Sequence, residues 1–199
     1  MSTLLLFPGA GADRDQATLV ALETGLAPSW TTVRADFDYR KEGRRAPDRP
    51  PKLLAAVRAE LAAIDDDRVV VGGRSMGGRI CSMVAGAADG EPAPAAIAGV
   101  VLISYPLHPP GKPENLRVEH LPGITVPCLF VHGTADPFGT PEELQRWTAT
   151  IGGPVTHHFL DGGRHDLKGK DGRVVEIVRD WLAALPAPRS RRRRPPRGS

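Results

Sequence analysis

A serine with a glycine two positions away on each side stands in Gly73-Arg74-Ser75-Met76-Gly77. An apolar run of valines precedes this segment and a stretch with helical spacing follows it. A tight strand-to-helix turn of this G-x-S-x-G type strains the serine backbone and lifts its Oγ clear of the sheet. Because the strand and helix backbones nearly touch, positions 73 and 77 must be very small. The pattern predicts a nucleophilic serine; the alternative is a glycine-rich turn that only connects two elements.

A serine hydroxyl needs a general base, and the base needs an acid that orients it. Asp136 comes just after an apolar run that ends at His132, and His165 comes just after the next run. Residues that follow parallel strands gather at the ligand-binding edge of a sheet. We therefore predict Ser75 as nucleophile, His165 as base and Asp136 as acid. Asp161 is the alternative acid, although it follows a different strand from Asp136.

A tetrahedral intermediate at Ser75 would require two backbone N–H donors. Met76 should supply one of them, because it follows the nucleophile at the start of a helix. The loop after the first strand should supply the other, and its small residues make Ala10 or Gly11 the expected donor. The alternative for this loop is a simple glycine turn. It is not a dinucleotide fingerprint, because no third glycine follows Gly9 and Gly11 at the required spacing.

Three side chains are predicted to contact the substrate, namely Arg74, Tyr105 and His108. Arg74 and Arg79 flank the serine turn, where they would either bind a substrate carboxylate or form ion pairs on the helix surface. His132 ends a strand and is expected to make a structural hydrogen bond. No metal site is predicted, because no histidines have helical ligand spacing and the cysteines are far apart.

The elements that must position these residues alternate along the chain. Short apolar runs predict strands at 3–7, 31–37, 68–72, 97–104, 128–132 and 155–160. Helical spacing predicts helices at 13–26, 51–64, 76–88, 141–150 and 173–184. Two loops are expected at 38–51 and 105–127, and the second is expected to form a wall of the substrate pocket. Strands that alternate with helices predict an α/β fold, a parallel sheet with helices on both faces.

Five segments together resemble a compact branch of the α/β-hydrolases that is related to the dienelactone hydrolases. They are residues 7–11, 73–79, 105–112, 132–136 and 163–165, and the resemblance spans about residues 3–184. The sequence departs from the family at Pro8, where many members have histidine. Dienelactone hydrolases themselves usually carry a cysteine nucleophile, where this chain has Ser75.

The resemblance implies an α/β-hydrolase fold with about six mostly parallel strands and a minimal cap. It also implies a serine hydrolase without a cofactor, acting on carboxylic esters or small activated acyl groups. A similar domain occurs in a subunit of a eukaryotic chromatin-acetylation complex. The alternative is therefore a catalytically silent interaction domain of the same fold.

The composition fits one globular domain, with 199 residues of which 41% are hydrophobic and 25% charged. We predict a hydrolase domain at 1–186 and a disordered Arg/Pro-rich tail at 187–199. The tail contains six arginines, so the net charge of +3 leaves about −3 for the domain. Weak nucleic-acid binding is expected only through this tail; the alternative is a solvated chain end.

The remaining expectations concern location, cysteines and assembly. The first residues contain only a brief apolar run, too short for a signal peptide or a membrane span, so a cytoplasmic location and no membrane association are expected. Cys81 and Cys128 lie in apolar runs and are expected to be buried and unpaired. The expected assembly is a monomer or a homodimer.

Overall fold

Six strands form one sheet in the computed structural model, which describes residues 2–186. The strands are β1 (Thr3–Phe7), β2 (Thr31–Arg34), β3 (Val69–Arg74), β4 (Ile97–Ile103), β5 (Cys128–Gly133) and β6 (Val155–Leu160). Their order is β2-β1-β3-β4-β5-β6, and every neighbouring pair is parallel. The strand order reverses between β1 and β3. In open parallel sheets, ligands bind beyond the carboxyl ends of the strands at such a point.

Six helices accompany the sheet. They are α1 (Ala17–Leu26), α2 (Asp38–Lys41), α3 (Pro50–Ala63), α4 (Met76–Ala85), α5 (Pro141–Thr148) and α6 (Asp171–Ala184). Alternate residues of β1 separate the two cores that result: Leu4 and Leu6 pack with α1 and α6, whereas Leu5 and Phe7 pack with α3 and α4. Because helices cover both faces, the central strands are apolar throughout, and this confirms the predicted α/β architecture.

Several predicted boundaries are wrong in ways that have local causes. Helix α1 begins at Ala17 rather than at residue 13, because the backbone of residues 13–16 forms a turn in which the Gln16 N–H bonds to the carbonyl of Asp13. Strand β2 ends at Arg34, short of the predicted residue 37. The predicted loop at 38–51 contains the short helix α2. Helix α4 ends at Ala85, near Ala87, whose φ of 55° is incompatible with a helix.

The long connection between β4 and β5 is ordered and includes a turn of 3₁₀ helix, Leu121–Gly123. Tyr105, Leu107 and Leu121 are buried in the core beside it, so this segment lies against the sheet. Cys81 and Cys128 are both buried and unpaired, as predicted. The predicted tail at 187–199 lies outside the described residues. Within residues 2–186, no helix is both long and apolar enough to cross a bilayer.

Candidate active site

The backbone turn at Ser75 has the strain that the sequence pattern predicts. Ser75 adopts a φ of 50° and a ψ of −115° between the end of β3 and the start of α4. A Cβ at Gly73 would lie 2.0 Å from the carbonyl oxygen of Phe7, and a Cβ at Gly77 would lie 2.2 Å from the same atom. The glycines are therefore required by the close approach of β1. A Cβ at Gly78 would lie 2.7 Å from the Gly73 carbonyl oxygen, so this glycine also serves packing.

Three side chains form a continuous hydrogen-bonded chain at the carboxyl edge of the sheet. The Nε2 atom of His165 lies 2.8 Å from Ser75 Oγ. The Nδ1 atom of His165 lies 2.8 and 3.0 Å from the two carboxylate oxygens of Asp136. Ser75 follows β3, Asp136 follows β5 and His165 follows β6, so three separate loops bring the chain together.

The hydrogen bonds define the proton positions. An ionised carboxylate can only accept, so the ring N–H of His165 must be on Nδ1, where it donates to Asp136. This leaves the lone pair of Nε2 to accept the proton of Ser75 Oγ–H. Asp136 is 5% exposed, and its Oδ1 also accepts the backbone N–H of Phe138 at 2.9 Å. The ring of Phe138 lies 4.1 Å from the His165 ring, centroid to centroid, and confines it.

The loops that carry the acid and the base are joined through their backbones. A Cβ at Gly133 would lie 2.1 Å from the carbonyl oxygen of Gly163, and the Ala135 N–H donates to that carbonyl at 2.9 Å. The guanidinium of Arg74 also donates a hydrogen bond to the main-chain carbonyl of His165. The imidazole is therefore held by a carboxylate on one side and through its own backbone on the other.

Two of the predicted oxyanion donors, Met76 and Ala10, lie beside Ser75. Met76 and Ala10 both line the cavity at Ser75, and no other described residue accepts a hydrogen bond from either N–H. The Gly9 N–H donates instead to Gln16 Oε1 at 3.0 Å, which fixes the loop after β1. The prediction of Gly11 as a donor is wrong. Its N–H points to the Tyr39 hydroxyl at 3.4 Å, and Gly11 lies outside the cavity lining.

Ser75 opens into a cavity of about 470 Å³. Its apolar wall includes Met76, Pro106 and Phe138, and its polar wall includes Arg79 and Arg117. The connection between β4 and β5 contributes Pro106 and Arg117, as expected of the predicted pocket wall. The lining is completed by Gly9, Ala10, Gln16, Arg74, Ser75, His165 and Asp166.

The three predicted substrate contacts have other partners. Tyr105 is buried, and its hydroxyl donates to the carbonyl of Arg117 at 2.6 Å. His108 is also buried, with Nδ1 2.9 Å from the Pro109 carbonyl and Nε2 3.5 Å from Glu143. Neither residue lines the cavity: Tyr105 packs in the apolar core, and the His108 ring is directed towards Pro109 and Glu143.

Arg74 does line the cavity, but its guanidinium is committed to the protein. It is 6% exposed and donates to Thr18 Oγ1 at 3.4 Å as well as to the His165 carbonyl. The alternative of an ion pair on the helix surface is wrong, because Arg74 belongs to the end of β3 and no described carboxylate lies within ion-pair distance of it.

The hydrogen-bond partners of His132 and Asp161 show the roles of these two residues. His132 Nε2 donates a hydrogen bond to the Gly139 carbonyl at 2.9 Å, which confirms its predicted structural hydrogen bond. Asp161 is exposed and bonds to Thr134 Oγ1 at 3.3 Å, so it does not orient the base. No sequence motif identifies Gln16, Phe138 or Arg117 as cavity residues. Each reaches the cavity through tertiary packing of residues distant from the serine turn.

Comparison with known proteins identifies the family and the fold. A family model described as an alpha/beta hydrolase domain matches residues 1–178. Epoxide hydrolase A of Mycobacterium tuberculosis is 36% identical over 63 residues, which is 31% of this chain. The chain thus spans about 20% of the length of that curated relative.

Solved structures of low sequence identity share the fold. Est1E from Butyrivibrio proteoclasticus, solved with ferulic acid, has a TM-score of 0.75 at 17% identity, covering 93% of this chain and 89% of its own. The type II thioesterase BorB from the borrelidin biosynthetic cluster has a TM-score of 0.69 at 18% identity, covering 91% and 92%. Dienelactone hydrolase from Anabaena variabilis has a TM-score of 0.69 at 15% identity, covering 94% and 88%. On the match over residues 1–178, the chain belongs to the alpha/beta hydrolase family.

Proposed function

We propose that the protein is a serine hydrolase that cleaves carboxylic esters or small activated acyl groups through an acyl-enzyme. The observation that carries the proposal is the unbroken chain from Ser75 Oγ through His165 to Asp136, with 2.8 Å at each junction. A nucleophile, a base and an orienting acid at hydrogen-bond distance are the parts that acyl transfer requires. An esterase domain from Rhodothermus marinus and the type II thioesterase BorB share this fold and are consistent with this chemistry.

The mechanism begins with attack of Ser75 Oγ on the substrate carbonyl carbon while Nε2 of His165 takes the hydroxyl proton. The tetrahedral oxyanion accepts hydrogen bonds from the N–H groups of Met76 and Ala10. When the intermediate collapses, His165 returns the proton to the leaving oxygen or sulfur, and an acyl ester remains on Ser75. Asp136 stays ionised and stabilises the imidazolium that forms in each step.

The second half repeats these roles with water. His165 removes a proton from a water molecule, whose oxygen attacks the acyl carbon. Collapse of the second tetrahedral intermediate releases the carboxylic acid, and the proton on His165 returns to Ser75. The open cavity and the partial exposure of Ser75 leave room for this water.

A fluorophosphonate probe tests the proposal, because it reacts with an activated serine and not with an ordinary one. We expect the wild type to be labelled and Ser75→Ala to be unlabelled. Ser29→Ala removes an exposed serine outside the cavity and is the matched control, which should label like the wild type. A wild type that resists labelling, or a labelled Ser75→Ala variant, would contradict the proposal and favour a catalytically silent interaction domain.

A further inference from the structure

Two arginines of the cavity wall lack a partner for their charge. No carboxylate within the described residues 2–186 lies within ion-pair distance of Arg79 or Arg117. The Arg79 Nε atom is buried without a hydrogen-bond partner in this part of the chain. An unmet buried donor costs free energy, and more so when it is charged. The two arginines therefore give the cavity surface a positive charge that a bound anion would neutralise.

The backbone holds both arginines in place. Arg79 lies one helical turn after Ser75, and its N–H donates to the Ser75 carbonyl at 3.0 Å. Arg117 is anchored to the segment after β4: its N–H donates to the Leu107 carbonyl at 2.9 Å and one guanidinium nitrogen to the Pro106 carbonyl at 3.3 Å. Two cations presented by separate rigid segments form a ready-made site for one oxyanion.

The local electrostatics show that the two charges act on each other. Burial lowers the pKa of the Arg117 guanidinium, and the positive charge of Arg79 lowers it further. Burial also lowers the pKa of His120 to about 4, with a further contribution from Arg79. Uncompensated like charges at close range are unfavourable unless a ligand offsets them.

The carboxylates closest to the cavity act on a different arginine, Arg74. Burial lowers the pKa of Arg74, whereas the charges of Asp171, Asp166 and Asp136 act in the opposite direction. Asp166 directly follows the base, so it adds negative charge where the leaving group must receive a proton from His165. Arg79 on α4 and Arg117 on the segment after β4 line the same cavity, and neither of these two segments contributes a carboxylate to its lining.

We propose that Arg79 and Arg117 form an oxyanion-binding subsite, and that the preferred substrate carries a carboxylate or a phosphorus oxyanion at the far end of its acyl chain. The inference rests on the proposed hydrolase function and specifies its substrate class. The separation should be short, because one helical turn between Ser75 and Arg79 rises only about 5.4 Å. A dicarboxylic monoester with a chain of a few methylenes has the required reach.

Four-nitrophenyl esters of matched chains test the subsite. The neutral reference is methyl 4-nitrophenyl adipate. The two anionic esters are 4-nitrophenyl hydrogen adipate and the 4-nitrophenyl ester of 5-phosphonopentanoic acid, which distinguish carboxylate from phosphorus oxyanion. We expect kcat/KM for at least one anionic ester to exceed that of the neutral ester by about tenfold or more. Equal or lower kcat/KM for both anionic esters would overturn the inference while leaving the proposed function intact.

Substitutions assign the preference to the subsite. Arg79→Gln should lower kcat/KM for the favoured anionic ester by about 10- to 100-fold relative to kcat/KM for the neutral ester. Arg79→Lys keeps the charge and should recover part of the loss. Arg179→Gln removes an exposed positive charge on α6 and should leave both esters unchanged. A preference that survives both Arg79→Gln and Arg117→Gln would contradict the assignment.

Direct binding keeps the subsite testable if no ester is hydrolysed. Isothermal titration of the wild type should then detect adipate or 5-phosphonopentanoate and not the neutral dimethyl adipate, with loss of the signal in Arg79→Gln. In that case the proposed function would be wrong and the subsite right. Absence of binding by both anions would overturn the subsite as well.

Discussion

The guanidinium of Arg74 donates a hydrogen bond to the main-chain carbonyl of His165. Arg74 immediately precedes the proposed nucleophile in the sequence, so one side of the serine turn is tied directly to the loop of the base. The remaining guanidinium contact is to Thr18 at the start of α1. This relationship makes Arg74 a positioning residue and leads to a prediction about its kinetics.

Replacing Arg74 with methionine should lower kcat of a neutral ester by about tenfold and leave KM nearly unchanged, because the His165 loop loses a buried hydrogen bond. Lysine at this position should recover part of kcat. We also expect about 1–3 kcal/mol of lost stability from the unsatisfied carbonyl, measurable by urea unfolding. A raised KM with unaltered kcat would instead support Arg74 as a direct substrate contact.

Asp136 is expected to determine which nitrogen of His165 carries the proton. In Asp136→Asn the amide can donate to Nδ1, which would place the ring proton on Nε2, where it cannot accept from Ser75. The analogous change in serine proteases lowers kcat about 10⁴-fold, and we expect a loss of several orders of magnitude here. Steady-state hydrolysis of a chromogenic ester measures it.

Asp161→Asn is the matched control for that substitution, since Asp161 is exposed and bonds only to Thr134. Its kcat should remain within about twofold of the wild type. Comparable losses in the two variants would show that the acid has been assigned to the wrong aspartate.

The serine turn should tolerate no methyl group at Gly77. A Cβ there would lie 2.2 Å from the Phe7 carbonyl oxygen and 2.5 Å from that of Pro8. Gly77→Ala should destabilise the protein by more than about 3 kcal/mol or prevent folding, because backbone on both sides would have to move. Thermal unfolding followed by circular dichroism measures the loss.

Gly172→Ala is the same substitution as Gly77→Ala, but we expect it to raise the stability of the protein. Gly172 lies within α6 and a Cβ there would meet no atom within 4 Å. We expect stabilisation by about 0.5–1 kcal/mol, because alanine restricts the unfolded chain and favours the helix. A destabilised Gly172→Ala, or a Gly77→Ala variant as stable as the wild type, would refute the steric account.

His120 should make the stability of the fold depend on pH. Its Nε2 lies 2.8 Å from Ser82 Oγ, and its pKa falls from an ordinary value near 6.5 to about 4. Because the folded pKa is the lower one, the unfolded chain binds more protons between these values. The contribution of neutral His120 to the free energy of unfolding is therefore fully present above about pH 6.5. It declines as the pH falls towards 4, by about 3 kcal/mol in total.

His120→Gln removes that titration and keeps a side chain able to bond Ser82. Urea unfolding at pH 7 and pH 4.5 should show a smaller decline for the variant than for the wild type. Burial also lowers the pKa of His132 and His157, so both proteins should still decline. Identical declines would mean that His120 is not held neutral in the folded state.

The sequence pattern was sufficient for the sheet and for the three residues at its carboxyl edge. Apolar runs of five to eight residues are best accommodated as strands covered on both faces, and the residue after each strand must lie at one edge of the sheet. The pattern around Ser75 adds a steric demand that only glycine meets. The actual neighbour, the Phe7 carbonyl of β1, was not evident because it is sixty-six residues away in sequence and is brought close by strand pairing.

The directions of side chains in the loops could not be predicted from local sequence patterns. Tyr105 and His108 have types that often contact substrates, yet Tyr105 packs in the core and the buried His108 lies against Pro109 and Glu143. Arg117 sits in a segment without periodicity, and its place at the cavity follows from its hydrogen bonds to Leu107 and Pro106. Loop residues of this kind depend on many weak tertiary contacts, none of which leaves a local signature.

The backbone contact between Gly133 and Gly163 makes one side of the cavity less tolerant of substitution than the other. On that side, two loops interlock so closely that neither accepts a methyl group, and any drift there would displace acid and base together. The opposite wall is formed by a few side chains of the segment after β4, where a substitution alters shape and charge without disturbing the main chain. Homologues can therefore change which substrates they bind while keeping the proposed reaction.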